Sequence, residues 1–438
     1  MTCPKLFIPS PCLARRLFAA LSALLGLGAT IALSPGGARA NVIIDWNIAT
    51  LKTTASAAFN PPLETRNVAI VHAAIFDAVN SIEHEFHPYL IKARAADSAS
   101  PEAAAVAAAH FALTQLYPAQ KATLDAAYAV SLAAIPDGRA KTAGIFVGES
   151  VAAQILSARA SDGAEAALST PYAPTAAPGV WIPTPPAFLP ALAPGWGSVV
   201  PFLLRTSSQF RADSPPSLTS RQYTRDFDEI KEIGSATSLT RTQEETDLAR
   251  LWISTAAQNW NPIARQVVIA RKLNLAQTAR VLALLNLAGA DAFIASWAAK
   301  FTYNQWRPVT AIRAADVDGN PSTVVDASWT PLLITPPFPD YVAGHTTYAG
   351  AAATVLEHLF GNCPDVVMAL TSPSAPGVVR TYTNFEAIAD DVVEARILGG
   401  IHWRTSSVVG KRVGDRIGNF AVHQILTPQK RDAGDGTP

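Results

Sequence analysis

The chain has 438 residues, 49% of them hydrophobic and 16% charged, with 34 basic residues balanced by 34 acidic ones. That length and apolar share support a large buried core. The balanced charge excludes a global basic footprint for nucleic acid.

The first forty residues stand apart. Lys5, Arg15 and Arg16 precede the apolar run LFAALSALLGLGATIAL, and GARA offers an Ala38-x-Ala40 cleavage site before Asn41. Residues 1–40 therefore read as a signal peptide, which predicts an exported protein, periplasmic or secreted. Arg15-Arg16 also hints at twin-arginine export. Without the leader the chain carries 30 basic against 34 acidic residues.

Helical periods fill the next part, 41–168. In TRNVAIVHAAIFDAVNSI (65–82), Val68, Val71, His72, Ile75 and Val79 share one face. SPEAAAVAAAHFALTQLY (100–117) carries Ser100 as a cap and Pro101 at the first helical position. Further periods cover roughly 119–134 and 139–159. Prolines then recur every few residues through 169–202, which excludes a helix. Trp181, Phe188 and Trp196 argue against a loose linker there. Residues 169–205 read as an ordered strap over the helices.

Residues 206–428 return to helical periods at 241–258, 261–272 and 275–300. The most apolar run, VLALLNLAGADAFIASWAAK (281–300), is interrupted by Asn286 and Asp291 and ends in Lys300. It reads as a buried helix, so no membrane span is predicted. Few stretches alternate with period two, so the predicted fold class is all-α, a helical bundle. Residues 429–438 read as a disordered tail.

Three segments of this C-terminal part carry chemistry. KFTYNQWRP (300–308) places Lys300 and Arg307 seven apart. On a continuing helix they would share a face, about 10 Å apart along the axis, although Pro308 discourages Arg307 from staying helical. FPDYVAGHTTYAGAAATVLEHLFG (338–361) runs through Gly344 and His345 into a helix with an apolar stripe. Free amides in a first helical turn attract anions. His345 there is either a proton-transfer group facing a bound oxyanion or a polar residue facing water. In EARILGGIHWRTSS (394–407), a capping box at Thr383 and Glu386 starts the helix, and Arg396 lies near its end. Arg396 and His402 are six apart, about 240° round a straight helix, so they meet only if Gly399-Gly400 breaks it. Gly410, Gly414 and Gly418 follow at four-residue intervals, a stripe that permits close helix packing.

Singly, these cations read as solvated or ion-paired side chains and His402 as a satisfied core histidine. Together, two arginines, a lysine, two histidines and a helix N-terminus are what a tightly held tetrahedral oxyanion requires.

The pattern K-x6-RP, GH, R-x5-H resembles that of the type 2 phosphatidic acid phosphatase and vanadium-dependent haloperoxidase superfamily. WRPVTAIR, TPPFPDYVAGH and RILGGIHWR are similar to its haloperoxidase branch, and AIVHAAIFDAVN and GVWIPTPPAFLPALAPGWG resemble exported bacterial members. The resemblance spans nearly all of the mature chain. It implies an all-α bundle, with vanadate held by Lys300, Arg307, Arg396 and the Gly344 amide. It also implies His402 as the axial ligand to vanadium and His345 as the acid–base group that assists hydrogen peroxide. Halide and an organic acceptor would be the other small-molecule partners, with Trp297 and Phe338 lining a halide pocket. The alternative is a soluble exported phosphatase, with phosphate as ligand and His402 as nucleophile.

Three positions depart from the family. Val342-Ala343 stands where Pro-Ser is common, which removes a hydroxyl worth about 1–3 kcal/mol to a bound oxyanion if its partner goes unpaired. Ala395 stands where serine often precedes the arginine. Ser406 stands where an aspartate often follows the last histidine and orients it in phosphatases, which counts against the phosphatase reading.

Overall fold

The computed structural model describes residues 41–57, 60–96 and 98–429, so the predicted leader and almost all of the predicted tail lie outside the described residues. The N-terminal helices are α1 (Val42–Ala55), α2 (Pro61–Glu83), α3 (Pro101–Leu116), α4 (Lys121–Ala133), α5 (Arg139–Arg159) and α6 (Ala164–Leu168). After the proline-rich segment come α7 (Arg221–Ile233), α8 (Gln243–Leu251), α9 (Ala256–Ala270), α10 (Leu275–Tyr303) and α11 (Pro308–Arg313). The last group is α12 (Gly344–Phe360), α13 (Phe385–Leu398) and α14 (Arg404–Gln424). Among the described residues the one sheet is an antiparallel hairpin of β1 (Met368–Ser372) and β2 (Ala375–Tyr382), with Met368 opposite Tyr382. The fold is all-α, as its periodicity predicts.

The core forms around α10. Asn274 and Gln277 cap it reciprocally, and its Ala- and Leu-rich sequence is buried on nearly every face by α2, α12 and α14. It is the one helix among the described residues long and apolar enough to cross a membrane, and it is the buried core helix instead. Its two polar interruptions are structural. Asn286 exchanges amide hydrogen bonds with Asn261 of α9, both 2.9 Å. Asp291 accepts backbone N–H bonds from Phe202, Leu203 and Leu204 at 2.6, 2.8 and 2.8 Å, which pins the end of the proline-rich segment to the core. Burial nevertheless pushes its carboxyl up to about 6.

That segment is irregular but held. Trp181 and Trp196 are fully buried, whereas Phe188 faces solvent. The Leu192 amide donates to the Pro337 carbonyl at 2.9 Å, and Trp297 Nε1 donates to the Leu192 carbonyl at 3.2 Å. These two bonds hang the segment over the end of α10.

Local readings shift in three places. The periods at 241–258 and 261–272 resolve into α8 and α9, broken at Trp252–Thr255. The predicted capping box at Thr383 and Glu386 does not form. Because β2 runs to Tyr382, the chain turns one residue later, and the Asn384 side chain accepts the Ala387 amide at 2.7 Å. Lys300 and Arg307 do not share a continuing helix: Asn304 adopts a left-handed conformation (φ 56°) that ends α10 after Tyr303.

The glycine stripe of α14 packs on α12. A Cβ at Gly414 would overlap the Thr347 carbonyl, and one at Gly418 would lie 2.6 Å from the Ala351 carbonyl. Backbone cannot yield as a flexible side chain does. Gly414→Ala is expected to cost about 1–3 kcal/mol through overpacking, read as a lower thermal midpoint. An unchanged midpoint would mean that the two helices separate freely.

Candidate active site

The three motif segments meet at one end of α10, and each arrives there by a local break. Past Asn304, Arg307 is extended (ψ 156°) and Pro308 opens α11. At the end of α13, Gly400 takes a positive φ (73°) against Gly234, where a side chain would overlap the Gly234 carbonyl. That turn redirects Ile401 and His402 back toward Arg307. His345 sits in the first turn of α12, whose N-cap residue, Ala343, supplies no side-chain cap. The first-turn amides of α12 are therefore left for another acceptor.

Lys300 and Arg307 are fully buried, and Arg396 and His402 nearly so. The Lys300 ammonium donates to the carbonyls of Pro339 (2.9 Å) and Asp340 (2.8 Å). Arg307 donates through Nε to the Phe338 carbonyl (2.8 Å) and through Nη1 to the Ile401 carbonyl (2.6 Å) and to His402 Nε2 (3.0 Å). Arg396 Nη2 donates to the Trp252 carbonyl at 2.5 Å. Two guanidinium donors stay unmet: Arg307 Nη2 and Arg396 Nε are buried without any acceptor. An unpaired buried donor costs about 1–3 kcal/mol, more when charged.

An arginine cannot accept, so His402 Nε2 carries the lone pair and Nδ1 carries the proton. Nδ1 lies 2.9 Å from Oδ1 of the fully buried Asp340, an electrostatic contact off the straight hydrogen-bond line. Asp340 Oδ1 is also 3.8 Å from Arg307 Nη1. Ser406 donates its hydroxyl to the Asp340 backbone carbonyl at 3.1 Å. The carboxylate missing at position 406 thus reaches His402 from the second motif, and Ser406 helps hold the loop that delivers it. The inference from Ser406 against a phosphatase loses its force for that reason.

His345 Nε2 lies 3.0 Å from the Ser254 carbonyl. A carbonyl only accepts, so Nε2 is the protonated nitrogen and Nδ1 is the base. Desolvation, then the charge of Arg396, lowers the His345 pKa to about 3. The same burial, followed by Arg307, Lys300 and Arg396, holds His402 well below its ordinary value. Burial is the first cause in both, ahead of the surrounding cations. It pushes Asp340 up to about 6 against the pull of Arg307 and Lys300, and lowers both arginines to about 10. Neutral imidazoles among cations are the resting arrangement when no anion is bound.

Gly344, His345, Arg396 and His402 line a cavity of about 920 Å³, together with Trp297 and Phe338. Those two rings lie 4.8 Å apart, with the Lys300 ammonium 5.7 and 5.1 Å from their centroids. Lys300 and Arg307 do not line the cavity but touch residues that do, Phe338 for both and His402 for Arg307. Sequence reasoning missed Asp340 and the carbonyls of Trp252 and Ser254. Asp340 was visible as an acid inside an apolar loop, whereas a backbone carbonyl has no signature in sequence. Among the described residues no group of three or more His, Cys, Asp or Glu forms a metal cluster. The donor set, with unmet guanidinium N–H groups and first-turn amides, instead suits an oxyanion.

Residues 280–430 match the family model described as the VCPO second helical-bundle domain. The vanadium chloroperoxidase of Curvularia inaequalis is 25% identical over 289 residues, covering 50% of this chain and 47% of that protein. The match thus spans about half the relative's length. A solved structure described as the first bacterial vanadium-dependent iodoperoxidase superposes with a TM-score of 0.74 at 26% identity, covering 88% of this chain and 96% of that one. A bacterial vanadium-dependent chloroperoxidase in its holo form has a TM-score of 0.68 at 19% identity, covering 83% and 92%, and shares the fold. With the three-part motif closed around one buried cationic pocket, the chain is similar in sequence and in fold to the vanadium haloperoxidase branch of the type 2 phosphatidic acid phosphatase and vanadium haloperoxidase superfamily.

Proposed function

We propose that this protein is a vanadate-dependent haloperoxidase that oxidises halide with hydrogen peroxide. The observation that carries the reading is the pair of orphaned guanidinium donors, Arg307 Nη2 and Arg396 Nε, buried beside two neutral histidines. Such donors fit the oxygens of a bound oxyanion. Vanadate, when bound, supplies a Lewis-acidic centre that activates hydrogen peroxide toward halide.

The residues divide the remaining work. Lys300, Arg307 and Arg396 hold the charge of the oxyanion, and the Gly344 amide at the start of α12 assists. His402 presents Nε2 as ligand, while Asp340 at Nδ1 fixes the tautomer and makes Nε2 more basic. His345 takes and returns protons at Nδ1, its ring oriented by the Ser254 carbonyl. Trp297 and Phe338 exclude water at the depth of the cavity and offer a polarisable surface to halide.

The haloperoxidase relatives do not favour the phosphatase alternative. One assay compares both. Purified protein, with and without orthovanadate, is given peroxide with iodide, bromide or chloride, and separately a phosphate ester. Halide oxidation that needs both vanadate and peroxide, and that phosphate inhibits, is the expected result. Phosphate-ester turnover with no halide oxidation in loaded protein would replace this reading with the phosphatase one.

A further inference from the structure

A halide ion, hydrogen peroxide and a tetrahedral oxyanion are all small and hydrophilic, and none needs a greasy chamber. The cavity above His345 and His402 is nonetheless far larger than they require and mostly apolar. Its volume of about 920 Å³ lies in the range of sites that enclose whole organic ligands, roughly 300–1,000 Å³. The proline-rich segment supplies one wall through Leu189 and Leu192, and the loop before α12 supplies another through Leu332 and Ile334. The rim leaves Leu189, Ile253 and Ile334 exposed to solvent at 53%, 43% and 80%. Exposed aliphatic residues gathered at the mouth of one cleft mark a binding site rather than scattered surface. At its depth, Phe293 and Trp297 stack with centroids 5.3 Å apart, and Phe338 adjoins them. Trp297 is held by its bond to the Leu192 carbonyl, so the aromatic floor and the strap wall form one unit. The chamber is concave and continuous with the catalytic groups, which suits a small molecule and not a flat protein partner.

We propose that this chamber is an acceptor subsite for an apolar, electron-rich aromatic, such as an alkyl-substituted phenol, which is halogenated there before hypohalous acid escapes. The proposal rests on the haloperoxidase reading. Peroxide oxidises halide to hypohalous acid and is reduced to water. A carbon–halogen bond then forms as the oxygen–halogen bond breaks, and the displaced ring proton leaves with the hydroxide as water. The alkyl group would lie against Leu189 and Ile334, with the ring on Trp297 and Phe338.

Two arms test it. In the first, vanadate-free protein is titrated with 4-hexylphenol by calorimetry. Saturable binding is expected, weakened about tenfold or more in Ile334→Glu and Leu189→Glu, because each carboxylate faces the alkyl chain at a cost of at least one decade in Kd. The neutral polar analogue 4-(hydroxymethyl)phenol, which lacks both the alkyl chain and a charge that the cationic site would attract, should bind at least about tenfold more weakly; in the second arm it serves as the other phenol. In the second, vanadate-loaded protein receives peroxide, iodide and equal amounts of the two phenols. The product ratio is compared with that from hypoiodous acid made without protein. A ratio shifted about fivefold or more toward 4-hexylphenol, returning to the reagent value in Ile334→Glu while triiodide formation without acceptor is unchanged, supports the subsite. Absence of binding, or a wild-type ratio equal to the reagent's, overturns it. If no triiodide forms at all, the haloperoxidase reading fails, and the binding arm still decides whether the chamber holds an apolar aromatic.

Discussion

His402→Ala is expected to abolish retention of orthovanadate, with a loss in affinity of more than about a hundredfold, since outer-shell losses around a metal ligand alone cost 10–100-fold. The reason lies in what the other groups are. Lys300, Arg307 and Arg396 offer charge and hydrogen bonds, and the α12 amides offer more of the same, but His402 Nε2 is the lone pair set beside the Arg307 guanidinium, whereas the lone pair of His345 Nδ1 is assigned to proton transfer. Removing it leaves a site that still attracts oxyanions and has nothing to bond the central atom. Phosphate binding should therefore survive within several-fold in the same variant, which separates lost ligation from a collapsed pocket. His345→Ala provides the contrast. It should keep vanadate within several-fold and lower turnover by about 10²–10⁴, the usual worth of a positioned acid–base group. Calorimetric titration with orthovanadate and with phosphate reads both variants without relying on turnover. If His402→Ala binds vanadate as tightly as the parent, His402 is not the ligand.

The second large effect is expected at Asp340. Asp340→Asn keeps the shape of the side chain and removes the charge 2.9 Å from His402 Nδ1. Two consequences oppose each other. The imidazole loses the group that makes Nε2 basic, which weakens any bond to a central atom. The pocket also loses its buried negative charge, which strengthens attraction for every oxyanion alike. Bond weakening should win for vanadate, with a loss of about 10–100-fold, while phosphate, which depends on charge, should bind equally well or better. Opposite movement of the two affinities is the signature; a parallel fall in both would reduce Asp340 to a structural role. Breaking a buried pair can cost about 3–5 kcal/mol, so the thermal midpoint has to be read beside the titrations. Asp340→Glu, which restores the charge at a longer reach, should recover part of the vanadate affinity.

How the active-site groups divide between legible and illegible follows from their distance in the chain. Lys300, Arg307, His345, Arg396 and His402 stand out because each sits in a short motif beside proline or glycine, and those residues act through local backbone preference. Pro308 keeps Arg307 out of a helix and opens α11, and the Gly399-Gly400 pair ends α13, as their local preferences announce. The left-handed turn at Asn304 was not announced, because asparagine takes that conformation only when its surroundings favour it. The same limit explains the misplaced cap before α13, where the reach of the hairpin decided which residue turned first.

The sequence by itself determined the helical class, the buried nature of 281–300 despite its apolar length, and which polar residues of the C-terminal motifs gather at one place. Those depend on periodicity and residue chemistry, which are local properties. The tertiary structure alone decided that Asp340 replaces a carboxylate absent at position 406, that the carbonyls of Ser254 and Trp252 orient His345 and Arg396, and that the strap and the 332–338 loop wall an apolar chamber above them. Each of these joins groups far apart in the chain through a carboxylate, a carbonyl or an aliphatic face whose role depends on what folding brings beside it. A buried charge or donor takes its meaning from its neighbours, and the neighbours are set by packing.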